Sequence, residues 1–179
     1  MFLWFVTYIL IPGYTILFVK GSNWLTTNFS VIGNRIGKRE AFVLWGLLIG
    51  IYFFWSLRVI VAKMPAKPYG TWLIPLALIL LSCAVITPYL PEILPLKSLM
   101  HIIFAFLASV CLMVCLWLIV WKLYQGNKEK YRQYLAGVAG IGIFSLFLLV
   151  LAGIISSALE IFFTITTVLM VRRLYQSRV

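Results

Sequence analysis

"AFVLWGLLIGIYFFWSLRVIVA", residues 41–62, carries one charge, Arg58, near its C-terminal end. A bilayer hydrocarbon core about 30 Å thick needs roughly 20 apolar residues of helix. This run meets that requirement, and its surroundings repeat it. Five further apolar segments lie at about 2–19, 71–90, 99–121, 134–153 and 157–172. Over all 179 residues, 64% are hydrophobic and 11% charged, with a mean hydropathy of +1.07. A soluble domain carries about 25% charged residues, so the natural solvent for this chain is lipid. The expected fold is all-α: a polytopic membrane protein, one domain over 1–179, built as a six-transmembrane-helix bundle.

Three details qualify the spans. The first run holds Pro12 and Gly13, but it has no basic leader and no small-x-small cleavage site, so it reads as a retained span. The third contains Pro75 and Pro88, which predict a kink or a frayed end. The last is short and can start earlier, at Ile154 or Ile155.

The net charge is +11. The basic residues sit at the ends of apolar runs, which fits membrane loops and anionic lipid and excludes a nucleic-acid partner. One side collects ten of them, namely Arg58, Lys63, Lys67, Lys122, Lys128, Lys130, Arg132, Arg172, Arg173 and Arg178; the other has five, Lys20, Arg35, Lys38, Arg39 and Lys97. By the positive-inside rule both termini are cytoplasmic, and the chain is expected in the plasma membrane of a bacterium as a multi-pass protein. "KLYQGNKEKYRQY", residues 122–134, then reads as a solvated inner connection, and "GIISS", 153–157, as a tight outer hairpin.

Cys83, Cys111 and Cys115 all fall within apolar runs and are expected to be packing residues. With a single His and no clustered acids, neither a metal nor a cofactor is expected. Gly46 and Gly50 form a G-x-x-x-G, and residues 136–142 a second small-residue surface. Both permit close helix approach, within the chain or across a homodimer.

Polar residues within spans need a partner or a function. His101, in "KSLMHIIFAF", and Glu160, in "SSALEIFFTITTV", are expected one turn below the outer surface. Ser156, Ser157, Glu160, Thr164 and Thr167 make a polar stripe on one helix face, which should turn toward protein or water. The first outer loop, "WLTTNFSVIGNRIGKRE" at 24–40, lies on that same side with Asn28, Ser30, Gly33 and Asn34. Gly33 would allow a tight turn, Ser30 and Asn34 can hydrogen-bond backbone or a ligand, and Arg35 or Lys38 can meet a phosphate. The expected ligand-binding set is Ser30, Asn34, Arg35, His101 and Glu160, with no assigned catalytic residue. The alternative is a structural His–Glu or Glu–hydroxyl clasp between helices.

Ser30-Val31-Ile32-Gly33 in an outer loop, His101 with Ala105 opening span four, and Glu160 in span six form a pattern. It resembles the bacterial six-span family of unknown function grouped with the Frag, DRAM and Sfk membrane proteins. Val31 and Ile161 stand where that family often has an acid and an arginine. The resemblance implies lipid-related work, since eukaryotic relatives are linked to lipid-anchor remodelling, phospholipid asymmetry and autophagy.

The first functional expectation is therefore a lipid-handling or lipid-sensing protein with an outward-facing polar pocket, its partners membrane lipids, including anionic headgroups. The second is a small membrane subunit of a larger complex, or a transporter. The third is an outer-leaflet lipid-modifying enzyme with Ser30 as nucleophile, His101 as base and Glu160 orienting the imidazole. No G-x-S-x-G or H-E-x-x-H supports the third directly.

Overall fold

Helix occupies most of each of the six apolar segments, so their backbone N–H and C=O groups pair within the chain. The computed structural model describes residues 2–35 and 37–178, and for Arg35 the backbone only. We number the helices α1 (Phe2–Phe18), α2 (Phe29–Arg35), α3 (Arg39–Ala62), α4 (Leu73–Ile86), α5 (Pro95–Gly126), α6 (Lys128–Ala152) and α7 (Ser157–Arg178). The described residues contain no strand. Helices α3, α5 and α6 are long and apolar enough to cross a membrane, while α1 and α4 are shorter apolar helices.

Local chemistry sets the ends. Helix α1 absorbs Pro12 through a π-helical stretch, Val6–Leu10, in the preceding turn. Helix α4 stops at Ile86 because Pro88 forces Thr87 into an extended conformation, with φ −72° and ψ 123°. Gly153 ends α6 in the left-handed region at φ 67°, where its N–H donates to Leu149 O at 2.9 Å. The chain then turns directly into α7, which packs against α6 as the short hairpin predicted.

The expected inner loop at 122–134 is corrected. Helix α5 runs to Gly126 and α6 starts at Lys128, leaving Asn127 alone outside helix. Asn127 breaks the run at φ −151°, and its Oδ1 caps α6 by accepting from Lys130 N at 2.9 Å. The charge run thus rides on two helix ends.

Helix α3 packs on α4 and α7, α4 on α5, α5 on α6, and α6 on α7. These five close into a ring, and α1 packs outside it on α3 and α7. The outer faces are apolar: Leu47, Trp55, Phe147 and Val150 are all exposed, the inverse of a water-soluble surface. The polar stripe of α7 turns inward, with Ser156, Ser157, Thr164 and Thr167 all buried.

Gly46 and Gly50 are taken up by this packing. A Cβ on Gly46 would stand 2.5 Å from Val85 Cγ2, and one on Gly50 would stand 2.8 Å from Leu78 Cδ1. The G-x-x-x-G face therefore receives α4 of the same chain. Val85 is β-branched and buried, so it has little freedom to yield. Gly46→Ala is expected to lower unfolding stability in detergent by about 1–3 kcal/mol, the usual cost of overpacking. A denaturant titration checks this; an unchanged midpoint would show that α3 and α4 are not in this contact.

Candidate polar site at the mouth of the helix ring

The site begins with a helix cap. Asn28 Oδ1 accepts from Val31 N at 2.7 Å and starts α2. The Phe29 ring is fully buried, packed edge-on to Trp45 at a centroid distance of 4.9 Å and beside Phe18 at 5.3 Å. Helix α7 fixes the same segment, since Ser157 N donates to Thr27 O at 2.7 Å and Ala158 N to Trp24 O at 2.8 Å. These carbonyls satisfy donors that a helix N-terminus leaves free.

Phe29 and Ser30 are thereby set between two distant helices. Phe29 N donates to Glu160 Oε2 at 2.7 Å. The Ser30 hydroxyl lies 2.5 Å from His101 Nε2. On the far side of the ring, His101 Nδ1 lies 2.9 Å from Thr87 O. Tyr89 and Phe42 flank the imidazole at 5.5 and 6.2 Å between centroids. His101 is 2% and Ser30 7% exposed, so both are withdrawn from bulk solvent.

The histidine tautomer follows from its partners. Thr87 O can only accept, so Nδ1 carries the hydrogen. In the neutral ring Nε2 is then a bare lone pair, and the Ser30 hydroxyl must be the donor to it. The Thr87 carbonyl is free for this role because α4 has just ended.

Ser30, His101 and Glu160 line one cavity of about 370 Å³ inside the ring. The rest of its wall is mainly apolar, with Phe53, Leu78 and Met113 among the lining residues, and Ser109, Ser145 and Thr164 add hydroxyls to it. Three of the five expected ligand-binding residues thus converge. Asn34 does not reach the cavity. Its Nδ2 donates to Ser30 O at 3.0 Å and its Oδ1 accepts from Arg39 Nη1 at 2.9 Å, so it braces α2. The Arg35 side chain lies outside the described residues.

Several expectations are corrected here. No hydrogen bond joins His101 to Glu160; Phe29 and Ser30 stand between them, one bonded to each. The imidazole is oriented by Thr87 O and not by Glu160, because the carbonyl at the end of α4 reaches Nδ1. Gly33 makes no turn. It is helical, and a Cβ there would stand 2.7 Å from Phe42 Cβ, so its role is close approach of α2 to α3.

Lys38 and Arg39 also have local duties. Lys38 Nζ donates to Phe18 O at 3.3 Å. Arg39 Nη2 donates to Val85 O at 2.6 Å and Ile86 O at 2.8 Å. Two of the basic residues of this loop therefore cap the C-termini of α1 and α4, where free carbonyls and the helix dipole favour cations. Sequence reasoning missed Thr87, Arg39 and the Phe29 amide. The signal for Thr87 was the T-P pair that ends a span, but a backbone carbonyl leaves no mark in residue type. Compared with known protein families, curated proteins and solved structures, the chain shows no match.

Proposed function

We propose that this chain is a six-span protein of a bacterial plasma membrane, with both termini cytoplasmic, that binds a lipid in the ring cavity. The acyl chain would lie along the apolar wall, and the headgroup region would meet Ser30, His101 and Glu160. One observation carries this reading: a cavity of about 370 Å³ whose wall is mainly apolar and which Ser30, His101 and Glu160 also line. Its volume lies within the about 300–1,000 Å³ of small-molecule sites, which share this apolar lining with a few placed polar groups.

No Lys or Arg lines the cavity among the described side chains, and Glu160 is its one acid. That favours a headgroup offering hydroxyl or amine hydrogens over a bare phosphate. The proposal includes kinship with the Frag, DRAM and Sfk group through Ser30, Gly33, His101 and Glu160.

Native mass spectrometry of protein extracted gently with its lipids tests this. Wild type is expected to carry one lipid of defined mass, and His101→Ala and Glu160→Gln to lose it. Equal lipid retention in all three would reduce the polar trio to a structural clasp. The alternative would then gain, a membrane subunit whose partner co-purifies in fixed stoichiometry.

A further inference from the structure

We propose that Ser30 and His101 are a nucleophile–base pair that deacylates an ester lipid held in the ring cavity. This rests on the lipid-binding reading above and extends it from holding a lipid to cutting one.

The geometry supplies the parts such chemistry requires. A serine is a weak nucleophile until a base within hydrogen-bond reach takes its proton. Ser30 Oγ and His101 Nε2 are 2.5 Å apart. The base must present a lone pair to the hydroxyl and be held by a third group. Thr87 O does both by fixing the hydrogen on Nδ1 at 2.9 Å. Serine hydrolases give that third place to a carboxylate, which also stabilises the imidazolium. A carbonyl dipole stabilises it less, which predicts a slow enzyme.

The pair also faces the right space. Both residues line the apolar cavity and are shielded from solvent. A plain structural hydrogen bond would not need to border a cavity with room for an acyl chain.

The reaction closes with water as the only co-reactant. Ser30 Oγ bonds to the ester carbonyl carbon as its proton passes to His101 Nε2. The carbon–oxygen bond to the alcohol part breaks, and the Nε2 proton goes to the departing oxygen. The acyl group is then on Ser30, and the lysolipid or alcohol leaves. Water adds to the acyl carbon and gives a proton to Nε2. The bond to Oγ breaks, the proton returns to Oγ, and a fatty acid departs.

The test treats full-length protein in nanodiscs with a long-chain alkyl fluorophosphonate, then maps the adduct by peptide mass. The same samples are assayed for retained lipid by native mass spectrometry and for release of fatty acid from a fluorescent diacylglycerol. The expected result is an adduct on Ser30, loss of labelling in Ser30→Ala, and labelling slowed at least about 100-fold in His101→Gln, the lower bound for general-base assistance. Peptide mapping on wild type locates the adduct even if a variant fails to fold. Retained lipid with no adduct on Ser30 and no fatty acid release would overturn the proposal and leave lipid binding standing. An adduct on Ser30 in protein that carries no lipid and releases no fatty acid would overturn both the lipid substrate and the binding reading.

Discussion

Ala108→Trp is expected to purify without its lipid. Ala108 is buried on α5 and lines the ring cavity, so an indole there occupies the volume assigned to the acyl chain. Ala77 lines the same cavity from the neighbouring helix α4, and Ala77→Phe fills it from there. Each variant should reduce retained lipid at least about tenfold, since a cavity near the lower end of the range for ligand sites has little volume to spare. Neither residue touches the polar cluster through a hydrogen bond, so the Ser30–His101 contact should survive. Native mass spectrometry reads the loss directly. Lipid retained at wild-type level in both variants would mean that the bound lipid sits on the outer faces.

The largest change in stability is expected from His101→Leu. The imidazole satisfies the Ser30 hydroxyl and the Thr87 carbonyl at once, and both would be left without it. Hydrogen bonds between membrane helices average about 0.6 kcal/mol and reach about 1.7. Two lost together come to about 1–3 kcal/mol. The site should lie toward the upper end, because the segment holding Ser30 is tied at both ends and cannot turn to find another partner. Glu160→Leu strands only the Phe29 amide, and Glu160→Gln keeps an acceptor for it. The expected order of destabilisation is His101→Leu, then Glu160→Leu, then Glu160→Gln. Unfolding titrations in mixed micelles measure all three. A His101→Leu variant as stable as wild type would show that the histidine is not clamped between α2 and the end of α4.

The helices were legible because the physical signal is strong. Residues 41–62 and 99–121 are apolar runs of bilayer length, and α3 and α5 cover them. The boundaries were less legible where one residue decides them. Nothing in the composition of 122–134 says that Asn127 alone interrupts the helix, because that outcome depends on a cap formed with Lys130 N. The site was half legible. His101 and Glu160 were conspicuous as polar groups in apolar helices, and Ser30 followed from its loop. Their connection was not legible, because it runs through backbone: the Phe29 amide to Glu160 and the Thr87 carbonyl to His101. Lys38 looked like a ligand for phosphate because charge is visible in sequence, while the helix-end carbonyl that holds it is not.

The central claim is that a lipid chain occupies the ring cavity with its polar end at Ser30, His101 and Glu160. The most direct measurement is photo-crosslinking with a lipid that carries a diazirine partway along its acyl chain, followed by peptide mapping of the adducts. Adducts on cavity-wall residues such as Phe53, Leu78 and Met113, displaced by unlabelled lipid and absent in Ala108→Trp, are the predicted result. Adducts confined to outward-facing residues such as Leu47, Trp55 and Phe147 would contradict it.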